Sequence, residues 1–177
     1  MGNNMLNQIV IEQNTTDPGA VLSELNRQVR HAFQQQGAKR AATDGMDIAI
    51  CLIDREAGTL QFAGAMNPLL VVRNGEPLEF AGERSPIGGR TPYDFSFPTQ
   101  NIPIQPGDWI YMYSDGFPDQ FGGTKGKKFM TRKFRTLLSN IAQWSPAQQA
   151  DYLGQAFDEW KGDYNQVDDV LVIGIRL

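Results

Sequence analysis

The sequence has 177 residues, of which 41% are hydrophobic and 20% are charged, and its formal net charge is −4. This length and composition are typical of an ordinary globular domain and exclude a disordered or fibrous chain, and enough surface can be buried without disulfides or structural metals. The acidic net charge disfavours nucleic acid and anionic membrane surfaces as partners.

The apolar runs and the cysteine content bear on the compartment. The longest apolar stretches, residues 46–53 and 170–175, are too short to span a bilayer, and no signal-peptide pattern opens the chain. Cys51 is the single cysteine, so no disulfide can form within one chain. We therefore predict a cytoplasmic protein in which this segment makes no membrane contact.

Two helices are predicted at the start of the chain. Met1 to Glu12 carries an apolar stripe at helical spacing, made by Met5, Leu6, Ile9 and Val10. Asp17 as N-cap and Pro18 at the first helical position predict a second helix that ends near Gly37.

Strand patterns follow from Gly45. Strands are predicted over Met46 to Ile53, Thr59 to Gly64, Leu69 to Arg73, Glu76 to Phe80 and Trp109 to Tyr113, with a further extended stretch over Tyr93 to Ile104. Asn74-Gly75 indicates a hairpin turn in which both residues have positive φ, and Pro77 marks the following strand as an edge strand.

Helices return in the last third. Phe129 to Ile141 and a helix that begins with the capping box of Ser145 and Gln148 are predicted to be amphipathic. The second stripe consists of Ala150, Leu153, Phe157 and Trp160. A final strand, Asp169 to Leu177, is apolar on both faces, which predicts a central strand covered on each side.

Helices, a run of strands, helices and one closing strand indicate an α+β fold. The predicted architecture has packed antiparallel sheets flanked by helices, in one domain over residues 1–177.

Acidic residues concentrate at two strand ends. Asp115 and Asp119 follow one apolar strand, and Asp168 and Asp169 precede another. Carboxylates that converge from separate strands repel one another unless a hard divalent cation neutralises them. The alternative is that Gly116 only permits a tight turn and the carboxylates are solvated.

Two segments carry a family resemblance, residues 113–123 (YSDGFPDQFGG) and 166–172 (QVDDVLV). They resemble the closing motifs of the SpoIIE branch of the protein phosphatase 2C family. Four further segments are similar to that branch: residues 44–49 (DGMDIA), 63–68 (AGAMNP), 86–88 (PIG) and 106–108 (PGD). The resemblance implies the PP2C-like sandwich of antiparallel sheets.

The resemblance also implies an activity and a metal site. Such enzymes hydrolyse phosphoserine and phosphothreonine with a water activated by two Mn²⁺ or Mg²⁺ ions, without a phosphoenzyme or a catalytic side chain. By motif, Asp115 and Asp168 correspond to metal ligands, Asp119 to a weaker metal position, and Gly116 and Asp169 to support of the metal loops. The implied partners are a phosphorylated regulatory protein, such as an anti-sigma-factor antagonist, and an upstream sensor module. The implied location is the cytoplasm, or the cytoplasmic part of a membrane-anchored sensor.

One family motif has no counterpart in the sequence. The Asp-Gly-His-Gly-like turn that supplies a bridging carboxylate is missing, so we expect a domain truncated at its N-terminus that lacks the opening strands. With two of the required carboxylates, this chain alone is predicted to have weak or no phosphatase activity.

Lys125, Lys127 and Lys128 form a basic cluster after the Asp115 loop. The cluster is either a binding site for a substrate phosphate or a solvated loop.

Two other functions stay open. One alternative is a non-catalytic module that binds a partner in bacterial signalling. The other is a homodimer, in which exposed sheet edges pair with a second copy of the chain.

Overall fold

The computed structural model describes residues 2–35 and 45–177, so the predicted helix end near Gly37 and the motif residue Asp44 lie outside the described residues. The helices are α1 (Gly2–Asn7), which continues as a π-helical turn over Gln8–Glu12, α2 (Pro18–Gln35), α3 (Gly116–Asp119), α4 (Thr131–Ile141) and α5 (Pro146–Lys161). The strands are β1 (Gly45–Met46), β2 (Ile48–Asp54), β3 (Thr59–Ala65), β4 (Leu69–Arg73), β5 (Glu76–Phe80), β6 (Ile87–Gly88), β7 (Gln100–Pro103), β8 (Trp109–Tyr113), β9 (Phe121–Gly122), β10 (Lys127–Lys128) and β11 (Val172–Arg176). Helices and antiparallel sheets confirm the α+β class. None of the described helices has the length and apolar character of a membrane span.

The chain forms two compact units. Unit 1 consists of Met1–Leu69 and Ala81–Gln105, and unit 2 of Leu70–Phe80 and Pro106–Leu177. Each unit has its own sheet and its own apolar core.

Unit 1 packs α2 against a three-stranded antiparallel sheet in the order β2-β3-β7. Leu22 and Leu25 of α2 are fully buried with Ile9 of the π-helical turn. Val10 does not join this face and is 40% exposed, contrary to the predicted stripe. The π-helical turn accounts for the difference, because its i→i+5 bonding changes the angular spacing of successive side chains.

Polar side chains of α2 hold a loop of unit 1. Asn26 donates from Nδ2 to the Pro92 carbonyl at 2.8 Å and accepts the Gly88 N–H at 2.9 Å. Arg30 donates from Nη1 to the carbonyls of Gly89 and Thr91 at 2.8 and 2.7 Å. These bonds satisfy backbone groups at the end of β6 and in the irregular segment that follows it.

The sheet of unit 2 is antiparallel in the order β11-β8-β4-β5. The turn between β4 and β5 has φ of 52° at Asn74 and 83° at Gly75, as predicted. The strand with Pro77, β5, lies at an edge, which is also confirmed.

The prediction for the final strand is wrong. Within the described residues β11 pairs on one side only, with β8, and therefore lies at the other edge of the sheet. Leu171 and Ile173 are 57% and 41% exposed, whereas Val170 and Val172 pack against the core. Apolar residues on both faces did not signal burial here, because only the face with Val170 and Val172 packs against the core of unit 2.

The core of unit 2 is aromatic and lies under α4 and α5. The Phe117 ring centroid lies 4.6 to 5.1 Å from those of Phe129, Phe134 and Phe157, in edge-to-face contact with Phe129 and Phe157 and tilted against Phe134. The capping box of Ser145 and Gln148 is present, as predicted.

The inward stripe of α5 contains one residue that the pattern did not predict. Gln149 is buried and accepts the Tyr111 hydroxyl at 2.8 Å, while the predicted Ala150 is exposed. Burial raises the pKa of Tyr111, and the hydrogen bond to Gln149 opposes that shift. A buried amide is tolerated here because its oxygen and nitrogen both have partners.

Replacing Gln149 with Leu should lower the free energy of unfolding by about 1–3 kcal/mol, because the Tyr111 hydroxyl is left buried without an acceptor. Urea unfolding measures the change. The double variant Tyr111→Phe with Gln149→Leu removes both polar partners and should be more stable than Gln149→Leu alone; equal stabilities would contradict this role of the hydrogen bond.

Candidate metal centre

The two acidic motifs lie at the same edge of the unit 2 sheet. Strands β8 and β11 are antiparallel neighbours with Tyr113 opposite Val172, so the chain leaves β8 where it enters β11. Asp115 follows β8 directly, and Asp168 and Asp169 precede β11. The predicted convergence of the two strand ends is therefore present.

Ser114 joins the two motifs by hydrogen bonds. Its backbone N–H donates to the Leu171 carbonyl at 3.0 Å, and its Oγ accepts the Leu171 N–H at 2.9 Å and donates to the Asp169 carbonyl at 2.8 Å. The side chain thus continues the ladder for one residue beyond β8 and fixes the main chain of the second motif.

Gly116 brings the two loops into backbone contact. A Cβ at Gly116 would overlap the Asp169 carbonyl oxygen and stand 2.9 Å from its carbon and 3.3 Å from the Asp168 oxygen. Gly116 has a helical conformation at the start of α3, so its glycine is required by this close approach and not by a tight turn.

Asp115 and Asp168 are both exposed at this junction. Asp168 accepts the Asp169 N–H at Oδ1, at 2.7 Å, and its carbonyl accepts the Gln166 side-chain amide at 2.8 Å. Asp169 contributes its backbone to the junction, and its carboxylate is exposed. The carboxylate groups of the two loops are therefore open to solvent and to a cation.

Asp119 is held differently. Its N–H donates to the Asp115 carbonyl at 2.8 Å, and its Oδ2 pairs with Lys128 Nζ at 2.8 Å. The short antiparallel pair of β9 and β10 folds Lys128 back onto this carboxylate. A cation at Asp119 would have to displace the lysine.

The predicted phosphate cluster divides into two parts. Lys125 and Lys127 are exposed on the β9–β10 turn and its second strand, whereas Lys128 is engaged with Asp119. Within the described part of the chain, Lys125 and Lys127 form no ion pair, and Lys128 is paired with the Asp119 carboxylate.

Gln120 is a site residue that the sequence patterns did not predict. It is fully buried, donates from Nε2 to the Asn165 carbonyl at 2.9 Å and accepts the Val167 N–H at 3.3 Å. Its own carbonyl accepts the Trp160 indole N–H at 2.9 Å. Gln120 therefore positions the loop that carries Asp168, and the only sequence signal was its place directly after Asp119.

The donor set fits a hard cation in type but supplies few ligands. Exposed carboxylates on converging loops are the oxygen donors that Mn²⁺ and Mg²⁺ prefer. Among the described residues, no three His, Cys, Asp or Glu side chains lie together as a metal-binding group. Asp115 and Asp168 can contribute to an ion here, but two ions need further ligands.

Comparison with known proteins identifies a family that matches the whole chain. The model of the SpoIIE family, described as stage II sporulation protein E, matches residues 1–177. No curated protein gives a significant sequence match.

Solved structures share the fold. The SiaA-PP2C domain of Pseudomonas aeruginosa is 28% identical with a TM-score of 0.87, over 99% of this chain and 67% of that one. The PP2C phosphatase domain with a regulatory fragment of SpoIIE from Bacillus subtilis is 17% identical with a TM-score of 0.69. The RsbU and RsbW domains of a Mycobacterium tuberculosis protein are 20% identical with a TM-score of 0.68. The chain covers 48% and 45% of the latter two structures and is itself 99% covered in both.

The Gly116 contact predicts a local intolerance. Gly116→Ala should lower the free energy of unfolding by about 1–3 kcal/mol, because the added methyl group forces the two motif loops apart. Gly154→Ala is the matched control, since a Cβ there meets nothing within 4 Å and alanine favours helix α5 by about 0.5–1 kcal/mol. Thermal unfolding of both variants tests the contact, and a Gly116→Ala variant as stable as the parent would show that the loops are not packed closely.

Proposed function

The chain belongs to the SpoIIE family of PP2C-like phosphatase domains, and on this premise we propose that it is the ligand-poor part of a metal-dependent serine/threonine phosphatase site. The observation that carries the proposal is the backbone contact of Gly116 with Asp168 and Asp169, which sets two motif carboxylates at one sheet edge. When bound, Mn²⁺ or Mg²⁺ supplies an activated water and neutralises phosphoryl charge.

The residues of the chain have distinct roles in this proposal. Asp115 and Asp168 hold the cation, and Ser114 and Gln120 fix the loops that carry them. Gly116 and Asp169 support the junction by their backbones. Asp119 serves a weaker position, which is open only when Lys128 leaves it.

The proposed substrate is phosphoserine or phosphothreonine on a bacterial regulatory protein such as an anti-sigma-factor antagonist. The regulatory context in the names of the solved relatives supports this choice, since they include a cell fate determinant and an RsbU domain joined to an RsbW domain. Lys125 and Lys127 are the groups of the basic cluster best placed to meet the phosphate, because both are exposed and have no ion pair with a described residue. An upstream sensor module and a cytoplasmic location complete the proposal.

We propose further that this polypeptide alone turns over substrate weakly. Two carboxylates leave most of the ligand positions of two ions to water, which favours weak binding of the metal pair. A longer polypeptide, made by joining a segment with an Asp-Gly-His-Gly-like motif to this chain, is expected to supply further ligands.

A Mn²⁺ titration by calorimetry, with hydrolysis of a phosphoserine peptide, tests this proposal. The longer polypeptide should bind Mn²⁺ tightly and hydrolyse the peptide, and Asp115→Asn or Asp168→Asn should reduce hydrolysis by at least roughly 100-fold. Asp163→Asn is the control, because it removes an exposed carboxylate before the Asp168 loop without touching the site. If the longer polypeptide neither binds nor hydrolyses, the phosphatase proposal fails.

The second candidate is a non-catalytic binding module. Two observations favour it. Among the described residues no three ligands lie together, and Lys128 already neutralises the Asp119 carboxylate, so the fold does not need a metal ion at these loops. Mn²⁺-independent binding of a partner together with inactivity of the longer polypeptide would support this candidate. Association of two copies through a sheet edge is tested by light scattering on the eluting protein, where a monomer at every concentration excludes it.

A further inference from the structure

A groove on the surface of unit 2 lies apart from the acidic loops. It has a volume of about 660 Å³ and a mostly apolar lining. We call it the α4 groove and define it by Phe129, Met130, Arg132, Lys133, Leu137 and Tyr152.

Met130 is the unusual residue of the α4 groove. It has a φ of 80° and a ψ of 135° directly before α4, and its side chain is 60% exposed. Positive φ is a strained conformation for a residue with a side chain. Its N–H donates to the Pro118 carbonyl at 2.8 Å, and its carbonyl accepts the Phe134 N–H at 3.1 Å. The fold therefore holds a strained backbone that presents an apolar side chain to solvent. The Met130 side chain is not buried within the fold, so its burial does not offset the strain.

The charge around the α4 groove is opposite to that of the whole chain. Six of the 16 lysines and arginines lie within residues 125–135, and no Asp or Glu occurs between residues 120 and 150, although the net charge is −4. Arg135 pairs with Glu79 and Lys128 with Asp119. Arg132 forms no ion pair with a described residue and is exposed at the rim.

Lys133 presents its charge on an aromatic floor. Its Nζ stands 3.8 Å from the Trp160 ring and 4.2 Å from the Phe129 ring. This packing fixes the ammonium group at the groove without neutralising it. The first turn of α4 adds positive potential, because no side chain caps its N-terminus.

The opposite end of the α4 groove has a different character. Tyr152 also lines a smaller adjoining hollow of about 320 Å³ that contains Asp151. The charge along this surface therefore changes from positive near Met130 to negative at the carboxylate beyond Tyr152.

We propose that the α4 groove docks an acidic segment of a partner protein. An apolar side chain of that segment contacts Met130 and Leu137, and its carboxylates face Arg132 and Lys133. Burial of the exposed Met130 side chain stabilises the complex, and the pairing of opposite charges sets the orientation of the bound segment. The inference goes beyond the proposed phosphatase function, because it needs neither a metal nor a reaction, and its test is carried out without metal.

Selection from a library of random displayed peptides on the whole chain tests the proposal. Enriched peptides should contain Asp or Glu together with Leu, Ile or Phe, and synthetic copies should bind in fluorescence anisotropy with an affinity that falls as salt rises. Enrichment of basic or uncharged peptides, or of none, would overturn the proposal.

Two variants remove the groove's features without unfolding it. Met130→Gly should weaken binding roughly 10-fold, which corresponds to the loss of one buried apolar side chain. Its melting temperature should stay equal or rise, because glycine adopts positive φ without strain. Arg132→Glu should weaken binding roughly 5-fold or more, although glutamate in the first turn of a helix favours the fold.

Arg90→Glu is the matched control, since it makes the same change in net charge at an exposed position of unit 1. It should bind peptides like the parent chain. Equal affinity of Met130→Gly and the parent, or an equal loss in Arg90→Glu and Arg132→Glu, would overturn the assignment to the α4 groove. Vesicles of phosphatidylserine in phosphatidylcholine should not bind; their binding, lost in Arg132→Glu, would assign the surface to a membrane and overturn the proposal as well.

Discussion

The hydrogen bonds of Ser114 tie together the parts of unit 2 that contain its acidic residues. They join Ser114, the first residue after β8, to the residues before β11. Two segments more than 50 positions apart in the chain therefore share one main-chain junction. The packing of Gly116 against Asp169 depends on this junction, and the exposure of Asp115 and Asp168 follows from it. Gln120, the packing of Val170 and the pairing of β11 also hold the Asp168 segment.

Local sequence signals predicted much of the fold because each has a local physical cause. Positive φ at Asn74 and Gly75 and the capping box of Ser145 are decided within a few residues, and Pro77 lacks the N–H that a strand paired on both sides needs. Two of the errors concern long-range packing, whereas the exposure of Val10 follows from the local π-helical turn. Burial of Gln149 depends on the Tyr111 hydroxyl 38 positions away, and the edge position of β11 depends on which strands pair beside it.

The candidate site was predictable in part for the same reason. Carboxylates that follow and precede apolar strands pointed to Asp115 and Asp168, and the antiparallel pairing of β8 and β11 brings those strand ends together. The role of Gln120 was not readable in the pattern, and support of the loops by Gly116 was implied only by the family resemblance. A glycine required by a neighbouring carbonyl looks like a turn glycine in sequence, and a buried glutamine with main-chain partners looks like a loop residue. The assignment of Asp115 and Asp168 as metal ligands stays a prediction.

The division into two units has a consequence for how the chain can be dissected. The polypeptide passes from one unit to the other after Leu69, after Phe80 and after Gln105, so each unit is assembled from two separate stretches. No single cut releases either unit by itself. A cut between β4 and β7 divides both sheets, and a cut after Gln105 leaves unit 1 whole but separates β4 and β5 from the rest of the unit 2 sheet. Recombination between relatives at one crossover point between β4 and β7 would therefore mix two cores at once, which favours inheritance of the two units together.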